Sequence, residues 1–132
     1  MKLILVGNGH RGKTEWVYRL LGRKPYDTYI PTQGIEVHPF GLSIKIWDTA
    51  GDTRYSGMND GYYKNAKITF IFADNEDEAD IWINKITDSG IKKYMIFAKL
   101  ENIDNFSSFL LQGRMVINKD DEAFSRYIVN NL

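Results

Sequence analysis

The run Gly7-Asn8-Gly9-His10-Arg11-Gly12-Lys13-Thr14 matches the pattern G-x-x-x-x-G-K-[ST] at every specified position. Each residue type there answers a requirement of holding a phosphate. Backbone N–H groups wrap an anion only where the chain turns tightly, which glycine permits. Lys13 supplies a point charge to the outer phosphates, and the Thr14 hydroxyl is a hard oxygen ligand for Mg²⁺. Chance alone would place this pattern in a chain of this size about once in two hundred sequences, so it outweighs an incidental glycine turn.

A second run, Trp47-Asp48-Thr49-Ala50-Gly51, closes an alternating segment. An aspartate at a strand end can reach Mg²⁺ through a water, and the Gly51 amide can donate to a terminal phosphate. On its own such a strand end is common. Beside the glycine loop it gains meaning.

Both runs need scaffolding, and the pattern of apolar residues supplies it. Leu3 to Val6 is a short, fully apolar run that reads as a buried parallel strand. After the loop, Trp16, Val17, Leu20 and Leu21 recur at helical spacing, with Gly22 as the terminator. Arg23 to Thr32 reads as a loop. Ile35 to His38 and Leu42 to Trp47 form a hairpin around Pro39-Phe40-Gly41, with the proline strand at a sheet edge. Asp48 to Asn65 is a long functional loop, and Ile68 to Ala73 a buried strand. Ala79, Trp82, Ile83 and Ile86 mark one face of a helix whose first turn is acidic. Tyr94 to Ala98 and Arg114 to Ile117 are further strands, separated by one short helix over Asn102 to Leu111. Ala123, Phe124, Tyr127 and Ile128 give a last helix. Strands alternating with helices predict an α/β fold, a mostly parallel sheet covered on both faces.

Composition narrows the partners. The 132 residues form a single domain over 1–132, large enough for a core without staples. Seventeen basic and seventeen acidic side chains cancel, which argues against nucleic acid as the main partner. There are no cysteines, hence no disulfide, thiolate metal site, prenylation or palmitoylation, and Lys2 excludes N-myristoylation. No apolar run is long enough to span a bilayer, and no signal peptide precedes the first strand. A soluble, monomeric protein of the cytoplasm or nucleus, with no direct membrane anchor, is expected.

The two motifs, with Tyr29-Ile30-Pro31-Thr32-Gln33-Gly34-Ile35-Glu36-Val37-His38-Pro39-Phe40 and Asp60-Gly61-Tyr62-Tyr63, resemble the Ras superfamily of small GTPases. Within it the Gly-Ile-Glu-Val-His-Pro run is most similar to the Ran family. That resemblance implies a shortened P-loop G domain with a six-stranded, mostly parallel sheet and helices on both faces. It implies GTP or GDP as ligand with Mg²⁺, and two switch loops that change order with the γ-phosphate. Gly9, His10, Arg11, Gly12, Lys13, Thr14, Thr32 and Gly51 would surround the phosphates, and Thr14, Thr32 and Asp48 the metal. Asp52, Thr32 and Lys13 would stand at the reacting phosphate, and Lys99, Glu101, Asn118 and Lys119 at the base. The partners implied are transport receptors of the importin-β type, or Ran regulators, met through the switch loops.

Several positions depart from the family. Asp52 stands where relatives carry the glutamine that orients the attacking water; it is shorter, anionic and lacks an amide donor, so slow hydrolysis is expected. Ala98-Lys99-Leu100-Glu101 replaces Asn-Lys-x-Asp, which predicts weaker discrimination of the base. Val116-Ile117-Asn118-Lys119 keeps the lysine of the last base loop, with the Asn118 amide facing the guanine oxygen. The base-stacking aromatic aligns with Pro25, with Tyr26 beside it as a substitute. His10 takes a position where relatives use glycine, and Arg11 could reach solvent, a phosphate or a partner. His38 reads as a surface or partner-contact residue. The shortened chain without an acidic tail is what a viral or otherwise divergent mimic would look like. The alternative function is therefore a pseudo-GTPase that competes for transport factors with little catalysis, and after it an ATP-using relative.

Overall fold

The computed structural model describes residues 1–22, 35–49 and 62–132. The readings that fall on 23–34 and 50–61, among them Pro25, Tyr26, Thr32, Gly51 and Asp52, lie outside the described residues.

The strands are β1 (Lys2–Gly7), β2 (Ile35–Phe40), β3 (Ile44–Thr49), β4 (Ala66–Phe72), β5 (Tyr94–Ala98) and β6 (Val116–Asn118). They lie in one sheet in the order β2-β3-β1-β4-β5-β6, parallel throughout except for the β2–β3 hairpin. The helices are α1 (Lys13–Leu20), α2 (Glu76–Asp88), α3 (Ser107–Leu111) and α4 (Glu122–Asn130), with a 3₁₀ helix at Leu100–Phe106. This is the α/β architecture expected from the alternation of strands and helices, with a mostly parallel sheet covered on both faces.

Alternation in β1 divides the core. Leu3 and Leu5 face one side with Trp16, Val17 and Leu20 of α1 and Ile128 and Val129 of α4. Ile4 and Val6 face the other with Ala79 and Ile86 of α2, and Phe106 and Phe109. Trp16 is the keystone of the first layer. Its ring meets Phe70, Phe72 and Phe97 edge-on at 5.7, 5.6 and 5.5 Å, and its indole N–H donates to Ser125 Oγ at 3.0 Å.

Three expectations need correction. The β2 strand runs on through Pro39 and Phe40, so the turn is Gly41–Ser43; Pro39 is tolerated because β2 is the sheet's edge. The single helix expected over Asn102 to Leu111 is a 3₁₀ helix that gives way to α3. Asn102 and Asn105 divert their side chains to Asp74, donating to Oδ1 at 3.2 Å and to its carbonyl at 3.1 Å, and asparagine is a poor helix former in any case. In α4 the buried face is Ser125, Ile128 and Val129, while Phe124 and Tyr127 are exposed and stack on each other. Among the described residues no helix is long and apolar enough to cross a membrane.

Candidate functional site

β1 lies between β3 and β4, with the β2–β3 hairpin to one side and β4, β5 and β6 to the other, so its C-terminal end lies where the winding order reverses. In open α/β sheets that crevice receives ligands. The glycine loop leaves β1 at this point. Gly7 has φ +147°, and a Cβ there would stand 2.4 Å from the Phe72 carbonyl oxygen of β4. Only glycine lets the two backbones approach so closely. His10 (φ 61°) and Gly12 (φ 77°) then turn the loop into α1. No side chain caps α1, and among the described residues the amides of Gly9, Arg11, Gly12 and Lys13 have no backbone acceptor. Those N–H groups and the helix dipole make an electropositive mouth.

Lys13 closes the loop from within. Its ammonium donates to the carbonyls of Gly7 (2.9 Å) and Asn8 (3.0 Å) and is almost wholly buried. Burial pushes its pKa down to about 8, against the pull of Asp48. An anion at the mouth would restore the charged form.

Beside it, the Thr14 hydroxyl donates to Asp48 Oδ2 at 2.6 Å. Asp48 is fully buried at the end of β3, and among the described residues its Oδ1 has no hydrogen-bond partner. Burial raises its pKa, while the Thr14 hydrogen bond and the Lys13 charge oppose that rise. A buried carboxylate oxygen without a donor is costly unless a cation completes it. A threonine hydroxyl and one carboxylate suit Mg²⁺, which keeps several waters and draws other ligands from phosphates. Among the described residues there is no group of three or more acidic, histidine or cysteine side chains that would suggest an all-protein metal cage.

The residues expected at the base converge less tightly. Lys99 and Glu101 follow β5 and are both exposed, whereas Ala98 is buried. Asn118 ends β6 and its Oδ1 accepts from the Asp120 amide at 3.0 Å. Lys119 is buried with its ammonium donating to the Arg11 carbonyl at 2.7 Å, 3.0 Å from where a Cβ on Gly12 would lie. Burial first, and then the nearby Lys99 charge, lower its pKa. Lys119 thus ties the β6–α4 loop to the glycine loop.

The side chain of Arg11 turns away from the mouth. Its Nε and Nη2 donate to Glu78 Oε1 and Oε2 at 2.6 and 3.1 Å, and Nε lies 3.3 Å from Asp74 Oδ2. The neighbouring Asn8 accepts from the Trp82 indole at 3.0 Å. Sequence reasoning missed Asp74, Glu78 and Asn8. The acidic first turn of α2 explained itself as a complement to the helix dipole, and nothing marked Glu78 as the member that faces the loop. His38 is corrected too. It is only 7% exposed, tucked edge-on to Tyr18 with Nε2 3.2 Å from Glu36 Oε2, because the even positions of β2 face α1. At the far end of residues 50–61, Tyr62 is buried and its hydroxyl donates to the Trp47 carbonyl.

The family model described as "Ras of Complex, Roc, domain of DAPkinase" matches residues 2–104. That span runs from β1 into the 3₁₀ helix; it includes the glycine loop, Asp48, Lys99 and Glu101 and stops short of Asn118 and Lys119.

Proposed function

We propose, from the premise that this chain belongs to the Roc (Ras of complex) family of Ras-superfamily GTPase domains, that it is a guanine-nucleotide switch. It forms one domain over residues 1–132, binds GTP or GDP with Mg²⁺, and hydrolyses GTP slowly. The observation that carries this reading is the buried Asp48 carboxylate, one oxygen on the Thr14 hydroxyl and the other without a donor among the described residues. It sits at the foot of a glycine loop closed by Lys13.

In this reading the amides of Gly9 to Thr14 and of Gly51 hold the phosphates, with Lys13 balancing the outer charge. Thr14, Asp48 and Thr32 hold Mg²⁺, which when bound neutralises charge on the transferring phosphoryl group. Lys99 and Glu101 lie along the base edge, with Asn118 and Lys119 behind it. Asp52 orients water poorly, since an ionised carboxylate repels the γ-phosphate and offers no donor. Single-turnover phosphate release should be slow, and Asp52→Gln should speed it. Release at a rate typical of small GTPases would sink the slow-hydrolysis claim.

Thermal shift with Mg²⁺ tests the ligand class. Ligand at about 100 times its dissociation constant adds near 2.7 kcal/mol of stability. A shift with GTP and GDP and none with ATP is expected. Equal shifts for all three would make the site base-blind, and no shift with any would remove nucleotide binding.

A second reading follows from the run Gly34-Ile35-Glu36-Val37-His38-Pro39 and from Asp52. It is a Ran-like mimic of the cytoplasm or nucleus that engages importin-β-type receptors through its switch loops with little catalysis. A pull-down with the receptor tests it, and failure there would leave the nucleotide site standing.

A further inference from the structure

Arg11 is one of the residues through which the glycine loop meets the rest of the molecule, beside Asn8 on Trp82. Its backbone lies between two left-handed residues, His10 and Gly12, and its carbonyl takes the buried Lys119 ammonium. A non-glycine residue at positive φ costs on the order of 1 kcal/mol or more, so the turn at His10 has to be held by its surroundings. The Arg11 guanidinium is engaged on both arms by Glu78, whose side chain is 10% exposed, and Nη1 lies 3.4 Å from the Gly9 carbonyl. Asp74 adds a second carboxylate at 3.3 Å.

Asp74 also reaches further. Its Oδ1 accepts from Asn102, the residue after Lys99-Leu100-Glu101, and its carbonyl from Asn105, three residues further on. Two residues on, Glu76 Oε2 accepts from the Phe109 amide at 2.6 Å, fixing the end of the same segment. An ion pair and hydrogen bonds therefore link Arg11 of the glycine loop, through Asp74, to the segment that follows Lys99-Leu100-Glu101.

We propose that Arg11, Glu78 and Asp74 are positioning residues: Glu78 holds Arg11 so that the glycine loop keeps its phosphate-ready turn, and Asp74 sets the Lys99–Glu101 segment relative to that loop. In a base loop that has lost the asparagine amide at Ala98, this link supplies a second tie between base side and phosphate side, beside that of Lys119. The inference rests on the nucleotide-binding reading above.

Calorimetric titration of Mg²⁺–GDP and of Mg²⁺–pyrophosphate separates the two roles, because pyrophosphate has no base. Glu78→Gln keeps the side chain's shape and should weaken both ligands three- to tenfold. Asp74→Asn should weaken GDP by a similar factor and pyrophosphate at least threefold less. Arg11→Lys keeps the charge without the bidentate grip and should fall between wild type and Arg11→Ala. A general loss of fold would lower the melting temperature and weaken both ligands together in every variant, without that split. Wild-type affinities in Glu78→Gln, or equal losses of GDP and pyrophosphate in Asp74→Asn, would overturn the proposal. Wild-type protein that binds neither ligand would overturn the nucleotide reading beneath it.

Discussion

At the scale of single residues, Lys13 and Asp48 are two buried charges of opposite sign. Lys13 titrates near 8 instead of near 10.5 because it is buried. A lysine whose folded pKa is depressed binds fewer protons in the folded than in the unfolded state between those values. Its contribution to stability therefore rises with pH from about 8 to 10.5, and below 8 its burial penalty is constant. A polyphosphate favours the ammonium form, so nucleotide binding should take up a proton above pH 8 and weaken as pH climbs. Titration at pH 8.5 in buffers of different ionisation enthalpy reads that proton directly; a buffer-independent heat would contradict it. Asp48→Asn should leave the fold intact, since it removes a buried charge at constant shape. The same change should abolish most of the gain in nucleotide affinity that Mg²⁺ brings. Equal Mg²⁺ dependence in wild type and variant would remove Asp48 from the metal site. The strand-end positions of the glycine loop and of Asp48 were legible because residue type and spacing mark them. Glu78 and Asp74 were not, because an acidic helix start looks the same whether its carboxylates meet solvent or an arginine.

At the scale of elements, the glycine loop is defined as much by β4 as by its own sequence. Gly7→Ala would drive a methyl group into the Phe72 carbonyl at 2.4 Å, in a backbone region that L residues rarely adopt. A destabilisation of about 1–3 kcal/mol is expected from such overpacking, measured by urea unfolding, together with loss of phosphate affinity. A neutral effect would mean that β1 and β4 can part freely. Trp16 carries α1 against three phenylalanines and α4 against its indole N–H, so Trp16→Ala should cost about 3–5 kcal/mol. Strands with continuous apolar runs, such as Leu3 to Val6 and Ile68 to Ala73, were read from sequence because burial on both faces leaves that pattern. The 3₁₀ helix was not, since it depends on Asn102 and Asn105 finding Asp74 across the fold. The buried face of α4 was misjudged because Phe124 and Tyr127 outweigh Ser125 in hydrophobicity, while Ser125 is the residue that Trp16 selects.

At the scale of the whole molecule, a sheet wound outward from β1 gathers the glycine loop and Asp48 at one end, while Lys99 and Glu101 beyond β5 are exposed and Lys119 beyond β6 is buried. That asymmetry mirrors the sequence, where the glycine loop matches its pattern fully and the Ala98–Glu101 loop only in part. In the proposed site, phosphate is held locally by one loop and one strand end. Base recognition needs β5, β6 and their loops in register, so wear there is hard to read from residue types alone. The proposed occupant of the mouth above Lys13 is a guanine nucleotide. Calorimetric titration of Mg²⁺–GDP into nucleotide-free protein, beside Lys13→Ala, tests it most directly. Saturation at one nucleotide per chain in the wild type, with at least a tenfold loss in Lys13→Ala, is the predicted result. No heat of binding in the wild type, or equal affinity in the two proteins, would contradict it.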